Sequence, residues 1–379
     1  YNQNKRTVGD FINDVSDKGW SKTVADRSMW AQMQMDPTDL ADVSGATYTY
    51  LMNGQAPDMN WTGLFKPGER IRLRFINGSS MTYFDVRIPG LKMTVVASDG
   101  QHVKPVSVDE LRIAVAETFD VIVEPADGAY TLFAQSMDRS GFARGTLTSR
   151  PGMKADVPSL DPRPLLSMED MGMGMGGMDH GAMNHGSMNH DSMQGMDHNA
   201  MPTNTPQSHP DSETDNPLVD MQAMSTSPKL EDPGIGLRNN GRKVLTYADL
   251  YSTFDDPDGR EPSRTIELHL TGHMEKFAWS FDGVKFSDAA PLKLKYGERV
   301  RVVLVNDTMM THPIHLHGMW SDLEDEHGRF KVRKHTIDMP PGSKRSYRVT
   351  ADALGRWAYH CHMLYHMEMG MFREVRVEE

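Results

Sequence analysis

Six histidines and the single cysteine of this 379-residue chain gather in two short segments near its carboxyl end. Residues 312–318 read HPIHLHG, and residues 360–371 read HCHMLYHMEMGM. One thiolate, two imidazoles and a more distant thioether form the donor set of a blue-copper electron-transfer site. These residue types at this spacing therefore predict a copper site of that kind.

The predicted blue-copper site takes its ligands from both segments: His312, Cys361, His366 and Met371. On an extended strand, every second side chain lies on the same face. Cys361 therefore lies on the face opposite to its two histidine neighbours. The remaining imidazoles form a second predicted cluster: His315, His317, His360 and His362. The peptide bonds on both sides of Cys361 join the two clusters covalently.

A third group of metal-binding residue types repeats every five residues near the middle of the chain. Residues 178–192 read MDHGAMNHGSMNHDS, and a period of five fits neither a helix nor a strand. We therefore expect a flexible segment without a core. Because thioethers prefer Cu(I), the segment is a candidate collector of labile copper, and a plain solvated linker is the alternative. Its candidate ligands are Met178, His180, Met183, His185, Met188 and His190.

The elements that must position these residues are predicted from an internal repeat. Residues 66–77 read KPGERIRLRFIN, and residues 295–306 read KYGERVRVVLVN. In both copies a Gly-Glu turn leads into alternating apolar and polar residues, which predicts a half-buried strand. Further strands are predicted at 113–124, 130–136, 265–271, 346–350 and 356–361. Short strands without alternating helices favour two β-sandwiches.

This pattern predicts three parts of the chain. Residues 1–150 form one sandwich and residues 244–379 form another, and residues 151–243 form a flexible linker rich in Met and His. Residues 8–15 and 20–35 are more typical of helix or irregular chain than of strand. We therefore expect the first sandwich to lack its opening strand.

Composition excludes several classes of protein. The chain has 40 Lys and Arg against 52 Asp and Glu, a formal charge of −12, and no basic stripe that would attract nucleic acid. It contains no uncharged apolar run of about 18 residues, which a membrane span requires. One cysteine excludes a disulfide framework and any zinc or iron-sulfur site that needs several cysteines.

The two histidine-bearing segments resemble the last two copper signatures of the multicopper oxidases, the family of laccases, ascorbate oxidase and bacterial cuprous oxidases. The resemblance implies that the predicted blue-copper ligands hold the type 1 copper. It also implies that His315 is a type 2 ligand, and that His317, His360 and His362 are type 3 ligands. The Met/His repeats and the segments at 99–101 and 358–368 are similar to those of periplasmic copper-resistance oxidases of Gram-negative bacteria.

Membership of this family would imply an all-β fold of tandem cupredoxin-like Greek-key β-sandwich domains, joined here by a disordered Met/His-rich linker. It would imply four copper ions in the complete protein. Cu(I), or a phenol, would be oxidised at the type 1 copper, and electrons would pass through Cys361 to His360 and His362. Dioxygen would be reduced to water at the trinuclear cluster. We expect a periplasmic location, with periplasmic copper-handling proteins as partners.

The chain departs from the family pattern in one respect. The family's trinuclear cluster needs eight imidazoles, four of them from an N-terminal cupredoxin domain, whereas His102 is the only histidine before residue 180. The repeat sets Tyr83, Val86 and Ile88 opposite His312, His315 and His317, so the first copy lacks ligands. We expect residues 1–150 to be a middle domain, with the ligand-bearing first domain outside this sequence or, alternatively, supplied by a partner.

Two other functions are consistent with these residues. A copper-sequestering binding protein would use the Met/His-rich linker as its store. A two-domain copper protein similar to nitrite reductases would share ligands between copies of the chain, but the ligand-free first copy argues against it.

The sequence gives only a weak indication of function for several polar residues near the ligand segments. The acids Asp322, Glu324, Asp325 and Glu326 are expected in an exposed loop, with steering of Cu(I) as the alternative. Asp338 and Glu368 are candidate hydrogen-bond partners of ligand imidazoles. No spacing distinguishes five further histidines from surface or structural residues: His102, His269, His273, His327 and His335.

Overall fold

The computed structural model describes residues 5–173 and 205–379. Its α-helices are α1 (Val8–Lys18), α2 (Trp20–Gln32) and α3 (Leu364–Glu368). The first eleven strands are β1 (Trp61–Leu64), β2 (Ile71–Ile76), β3 (Phe84–Arg87), β4 (Met93–Ser98), β5 (Gln101–Val108), β6 (Glu110–Ile113), β7 (Thr118–Val123), β8 (Ala129–Ser136), β9 (Phe142–Thr148), β10 (Thr205–Pro206) and β11 (Ser225–Thr226).

The second half of the chain adds eleven strands. They are β12 (Arg264–His273), β13 (Ala278–Phe281), β14 (Leu292–Lys295), β15 (Arg299–Asn306), β16 (His312–Leu316), β17 (Ser321–Glu324), β18 (Phe330–Lys334), β19 (Thr336–Met339), β20 (Lys344–Thr350), β21 (Gly355–Cys361) and β22 (Phe372–Glu378). Short 3-10 helices lie at Asp211–Glu213, Tyr247–Asp249 and Phe286–Asp288. None of the described helices is long and apolar enough to span a bilayer.

All of these strands except β10 and β11, which form a separate two-stranded sheet, build two β-sandwiches, and this confirms the predicted fold class. The first sandwich pairs a five-stranded sheet, β1-β9-β8-β3-β6, with a four-stranded sheet, β2-β7-β4-β5. The second pairs a six-stranded sheet, β13-β12-β15-β20-β17-β18, with a five-stranded sheet, β14-β22-β21-β16-β19. In β2, burial alternates along all six residues, as its alternating sequence predicts.

The two sandwiches share one strand order, in agreement with the repeat in the sequence. β3 lies between β8 and β6, just as β16 lies between β21 and β19. β2 pairs with β7 in the first copy, and β15 pairs with β20 in the second. β12 pairs in parallel with β15, whereas in the described residues β2 lies at the edge of its sheet without such a neighbour.

The structure confirms one predicted element in the first half of the chain and corrects another. The predicted irregular or helical region is helical, and α1 begins with a capping box in which Thr7 and Asp10 bond each other's backbone N–H. The predicted strand at 113–124 is wrong as a single element. A turn separates β6 from β7, because Glu117 N donates to Ala114 O and Ala116 adopts a positive φ of 71°.

Parts of the predicted linker, residues 151–243, pack against the sandwiches. Leu166, Met171 and Ala223 are buried, and Arg242 Nε lies 2.7 Å from Glu110 Oε2 on the first sandwich. These flanks carry apolar and charged residues that pack against the sandwiches. Residues 174–204 lie outside the described part of the chain, so the domain division at 150 and 244 stays a prediction.

A buried ion pair connects the two sandwiches. Lys334, at the end of β18, is fully buried, and its Nζ lies 2.8 Å from Asp99 Oδ2 and 3.1 Å from Glu117 Oε1 of the first sandwich. Ser98 Oγ accepts a further hydrogen bond from it at 2.9 Å. Charges this deeply buried are stable only when paired, so the pair fixes how the sandwiches meet.

Candidate metal centre

Strands β16 and β21 bring the two histidine-bearing segments together. They are antiparallel neighbours, with Ile314 opposite Cys361 and His315 opposite His360. The chain then turns through α3, which returns His366 to the end of β21. Because the two strands share one sheet, residues about fifty positions apart in the sequence become adjacent.

Three of the predicted type 1 ligands converge on one point. His312 Nδ1 lies 3.6 Å from Cys361 Sγ, His366 Nδ1 lies 3.8 Å from the same sulfur, and the two nitrogens are 3.1 Å apart. All three side chains have no exposed surface. Two imidazoles and one thiol therefore enclose a space of the size that one metal ion occupies.

Each imidazole of this group is held through its other nitrogen. Thr308 Oγ1 lies 2.7 Å from His312 Nε2, and Asp42 Oδ2 lies 2.8 Å from His366 Nε2. Trp279 stacks on the His366 ring with centroids 3.9 Å apart. Such outer partners fix the tautomer and orientation of a metal-binding histidine, here with Nδ1 toward the sulfur.

The electrostatics of this pocket suit a cation. Burial raises the pKa of the Cys361 thiol and lowers the pKa of His312 well below its ordinary value. The imidazole is therefore neutral and able to bind a metal, and the buried thiolate needs a positive charge beside it. A soft sulfur with two nitrogens matches the donor preference of copper, so these residues fit a type 1 site.

Met371 lies beside the same three residues in the fold. Its side chain is fully buried, its carbonyl accepts from Cys361 N at 3.1 Å, and its N–H donates to His366 O at 3.0 Å. These backbone bonds fix Met371 next to both ligands. Its role as the axial ligand stays a prediction.

The other four predicted imidazoles also come together. His317 Nε2 lies 3.1 Å from His360 Nε2. The rings of His315 and His317 have centroids 4.6 Å apart, and those of His360 and His362 are 5.4 Å apart. The four rings form one group on the opposite side of β21 from the Cys361 sulfur.

Backbone carbonyls orient two of these rings. His315 Nδ1 lies 2.6 Å from His335 O, and His360 Nδ1 lies 2.9 Å from Cys361 O. In each ring Nδ1 donates and Nε2 is left to bind a metal. Burial lowers the pKa of His315 and of His360 to about 4, so both rings are neutral at physiological pH.

Sequence reasoning missed several residues of the site. Asp42, Thr308 and Trp279 support the type 1 group, and the carbonyl of His335 orients His315. Thr308 lies four positions before His312, which is a local signal, whereas nothing near Asp42 in the sequence indicates its role.

Other predictions near the site are corrected by the structure. Asp322 and Glu324 are buried on β17 rather than exposed in a loop. The arginines of neighbouring strands pair with them, as in the contact of 2.7 Å between Arg333 Nε and Asp322 Oδ1. Asp338 accepts a hydrogen bond from Tyr83 Oη at 2.9 Å instead of contacting a ligand imidazole. The six predicted labile-copper residues lie outside the described part of the chain: Met178, His180, Met183, His185, Met188 and His190.

Comparison with known proteins places these observations in a family. Residues 11–150 and 259–379 match the sequence profiles of multicopper oxidase domains. The chain is 84% identical over its whole length to a copper resistance protein A homolog of Pseudomonas syringae pv. tomato, covering 66% of that protein. It is 74% identical to copper resistance protein A of Escherichia coli, again over its whole length and 67% of the relative.

Solved structures agree with the fold. Fet3p, a multicopper oxidase that functions in iron import, is similar with a TM-score of 0.54 at 17% identity, over 84% of this chain and 57% of that one. A laccase from Botrytis aclada is similar with a TM-score of 0.51 at 16% identity, over 84% and 53%. The present chain spans about two thirds of the length of the copper resistance proteins it matches.

Proposed function

Because the chain belongs to the multicopper oxidase family, we propose that it is the part of a periplasmic copper-resistance oxidase that takes electrons from Cu(I). The observation that carries this proposal is the convergence of His312 Nδ1, Cys361 Sγ and His366 Nδ1 within 3.8 Å of one another. Their burial and their outer hydrogen bonds support a rigid, preformed site.

His312, Cys361 and His366, with Met371 as the axial donor, would hold the type 1 copper. Copper bound there supplies a one-electron acceptor and donor. Cys361 contributes more than its sulfur, because its backbone joins it directly to His360 and His362. Its thiolate is therefore a few bonds from both imidazoles of the second group. We assign to these three residues the role of a short covalent path for electrons between the two groups.

The second group supplies half of a trinuclear copper site. His315 and the three type 3 candidates present four imidazoles, kept neutral by burial, for the type 2 and type 3 copper ions. Because the described residues add no further imidazole pairs to this group, we propose that a cupredoxin domain outside this sequence provides the rest. Dioxygen would then be reduced between the two sets.

Cu(I) is the substrate that we favour over phenols. The chain is 74–84% identical to proteins named for copper resistance, and its sequence carries Met/His repeats at 178–192. Thioethers bind Cu(I) in preference to harder ions. Periplasmic copper carriers would be its natural partners.

Oxygen uptake tests this proposal. The chain would be assayed alone and fused to the third of the 84% identical relative that it does not cover, with Cu(I) or a phenol as the donor. We expect Cu(I)-dependent oxygen uptake from the fusion and none from the fusion carrying His360→Asn. A copper-loaded fusion that consumes no oxygen would favour the alternative, a copper-sequestering protein that uses its Met/His repeats as the store.

A further inference from the structure

Another group of metal-binding residue types lies apart from the two clusters described above. It consists of His209, Glu213, His269 and Asp307, and one donor atom from each lies within 4.8 Å of the others. Glu213, His269 and Asp307 are buried, and the side chain of His209 is 16% exposed. Sequence reasoning treated His269 as a surface or structural histidine, because its partners come from distant positions.

Two neighbouring strands and one short helix build this group. His269 lies on β12, and Asp307 follows β15, which pairs with β12 in parallel. Asp307 N also donates to Leu270 O at 3.0 Å. His209 and Glu213 lie at the start and the end of the segment that contains the 3-10 helix Asp211–Glu213. The four side chains therefore come from three separate parts of the chain.

The distances between donor atoms are those of a small coordination shell. His209 Nδ1 lies 3.3 Å from both Asp307 Oδ2 and Glu213 Oε2, and His269 Nδ1 lies 3.5 Å from Glu213 Oε1. A tetrahedral zinc site with bonds of about 2.0–2.1 Å has ligand atoms roughly 3.3–3.4 Å apart. Only the pair of His269 Nδ1 and Asp307 Oδ2, at 2.6 Å, is closer and would have to open.

Each side chain contacts a partner outside the group through one polar atom, and its other polar atom faces the centre of the group. His209 Nε2 bonds Ala223 O at 3.0 Å, and His269 Nε2 contacts Glu267 Oε1 at 3.3 Å. Asp307 Oδ1 accepts from Ala223 N at 2.8 Å, and Glu213 Oε2 accepts from Gln222 Nε2 at 3.1 Å. Metal-binding histidines and carboxylates are typically supported in this way.

Two donor atoms of the group have no hydrogen-bond partner. They are His209 Nδ1 and Glu213 Oε1, which meet the other members of the group only in ion-pair contacts of 3.3 and 3.5 Å, and Glu213 is only 3% exposed. A buried polar atom without a hydrogen bond is destabilising, and a buried carboxylate without one is more so. A cation at the centre of the group would satisfy both atoms.

We propose that His209, Glu213, His269 and Asp307 bind a divalent transition-metal ion of the Zn²⁺ or Cu²⁺ type. Two imidazoles and two carboxylates suit such ions, and the group offers neither the thiolate nor the thioether that Cu(I) prefers. The site differs in chemistry from the type 1 centre, yet it lies close to it in the chain. Asp307 precedes Thr308, whose Oγ1 lies 2.7 Å from His312 Nε2.

Zinc stoichiometry of the full chain tests the proposal. Wild type, Glu213→Gln and the double variant Glu213→Gln/Asp307→Asn would be dialysed against buffered Zn²⁺, and bound metal would be counted by mass spectrometry. Other histidines also bind zinc, so the difference between proteins is the measured quantity. His273→Asn is the matched control, because His273 lies on the same strand four residues after His269 and outside the group.

We expect the double variant to bind one Zn²⁺ fewer per chain than wild type, and the His273→Asn control to match wild type. Should the double variant fail to fold, Glu213→Gln alone should weaken one zinc site by at least about tenfold. A crystal of wild type soaked in Zn²⁺ should give an anomalous peak among the four side chains. Equal stoichiometry in all proteins, or no peak there, would overturn the site and leave a metal-free ion-pair network.

Discussion

The carboxylate of Asp42 orients one of the predicted type 1 ligands. It accepts from His366 Nε2 at 2.8 Å across a sequence separation of 324 residues. A negative charge at this position fixes the tautomer of the His366 ring, with Nδ1 facing Cys361 Sγ. The proposed type 1 site therefore includes a contact from a residue outside both ligand segments.

Replacing Asp42 tests this dependence. We predict that Asp42→Ala weakens copper binding at the type 1 site by about 10- to 100-fold, because His366 loses the partner that orients it. A competition titration followed by the blue absorption measures this affinity. Asp58→Ala is the control, since Asp58 is exposed on the same part of the chain. Equal affinity in both variants would show that Asp42 has no such role.

The buried imidazoles of the second group make the metal-free chain sensitive to acid. Burial lowers the pKa of His315 and His360 from 6.5 to about 4. The unfolded chain therefore takes up protons below about pH 6.5 that the folded chain takes up only near pH 4. Stability is fully present above pH 6.5 and is lost as the pH falls through this window.

Urea unfolding of the metal-free chain between pH 7.5 and pH 4.5 measures this effect. We predict a decrease in the free energy of unfolding with acid that is shallower in the double variant His315→Asn/His360→Asn. His327→Asn should behave as wild type, because His327 is exposed. An identical slope in wild type and double variant would contradict the assignment of this sensitivity to the two rings.

The sequence predicts the position of some residues of the candidate site and not of others. The ligand candidates were predictable because His-x-His and His-Cys-His on strands place imidazoles on known faces. The supporting contact of Asp42 was not predictable, since it depends on how a loop after α2 folds over α3. The group around His269 was missed because its four residues come from separate parts of the sequence and meet only in the folded chain.

Among the elements, β18 carries the residue that joins the sandwiches. The ammonium of Lys334 is fully buried between Asp99 and Glu117. Removing it leaves two buried carboxylates without their counter-ion. We predict that Lys334→Met lowers the free energy of unfolding by about 3–5 kcal/mol, measured by urea denaturation.

A matched variant distinguishes the effect of losing the ion pair from the general effect of replacing a lysine. Lys293→Met removes an exposed lysine from β14 and should leave stability nearly unchanged. Adding Asp99→Asn to Lys334→Met should recover part of the loss, because one uncompensated charge is removed. A small effect of Lys334→Met, comparable to that of Lys293→Met, would mean that the pair does not hold the sandwiches together.

The turn after β16 admits only glycine at position 318. Gly318 has a φ of +77°, and a Cβ there would lie 2.3 Å from Cδ2 of Trp357 on β21. We predict that Gly318→Ala destabilises the chain by more than about 1 kcal/mol in urea unfolding. Gly68→Ala is the control, with a φ of +86° and open space around the Cβ. Equal losses in both variants would assign the effect to backbone strain alone.

Strands were easier to predict than the acidic segment beside them. Alternating patterns predicted β2, β15 and β21, because one face of each strand packs on a core. The acids at 322–326 were expected in a loop, since four charges close together are usually solvated. Asp322 and Glu324 are buried instead, because arginines on β15, β18 and β20 neutralise them.

At the scale of the whole molecule, the internal repeat predicted two related sandwiches, and the shared strand order agrees with it. What the repeat did not predict is how the sandwiches meet. That interface uses Lys334 and the packed flanks of the predicted linker, which contact residues far away in the sequence. Composition averaged over 151–243 concealed these flanks, because the Met/His repeats dominate it.

We propose that this chain alone builds a type 1 copper site from His312, Cys361 and His366. The most direct test loads wild type and Cys361→Ser with copper, removes loosely held metal, counts copper and records optical and EPR spectra. We predict one type 1 signal per wild-type chain with intense blue absorption, and no such signal in the variant. A colourless wild-type chain, or a blue Cys361→Ser variant, would contradict it.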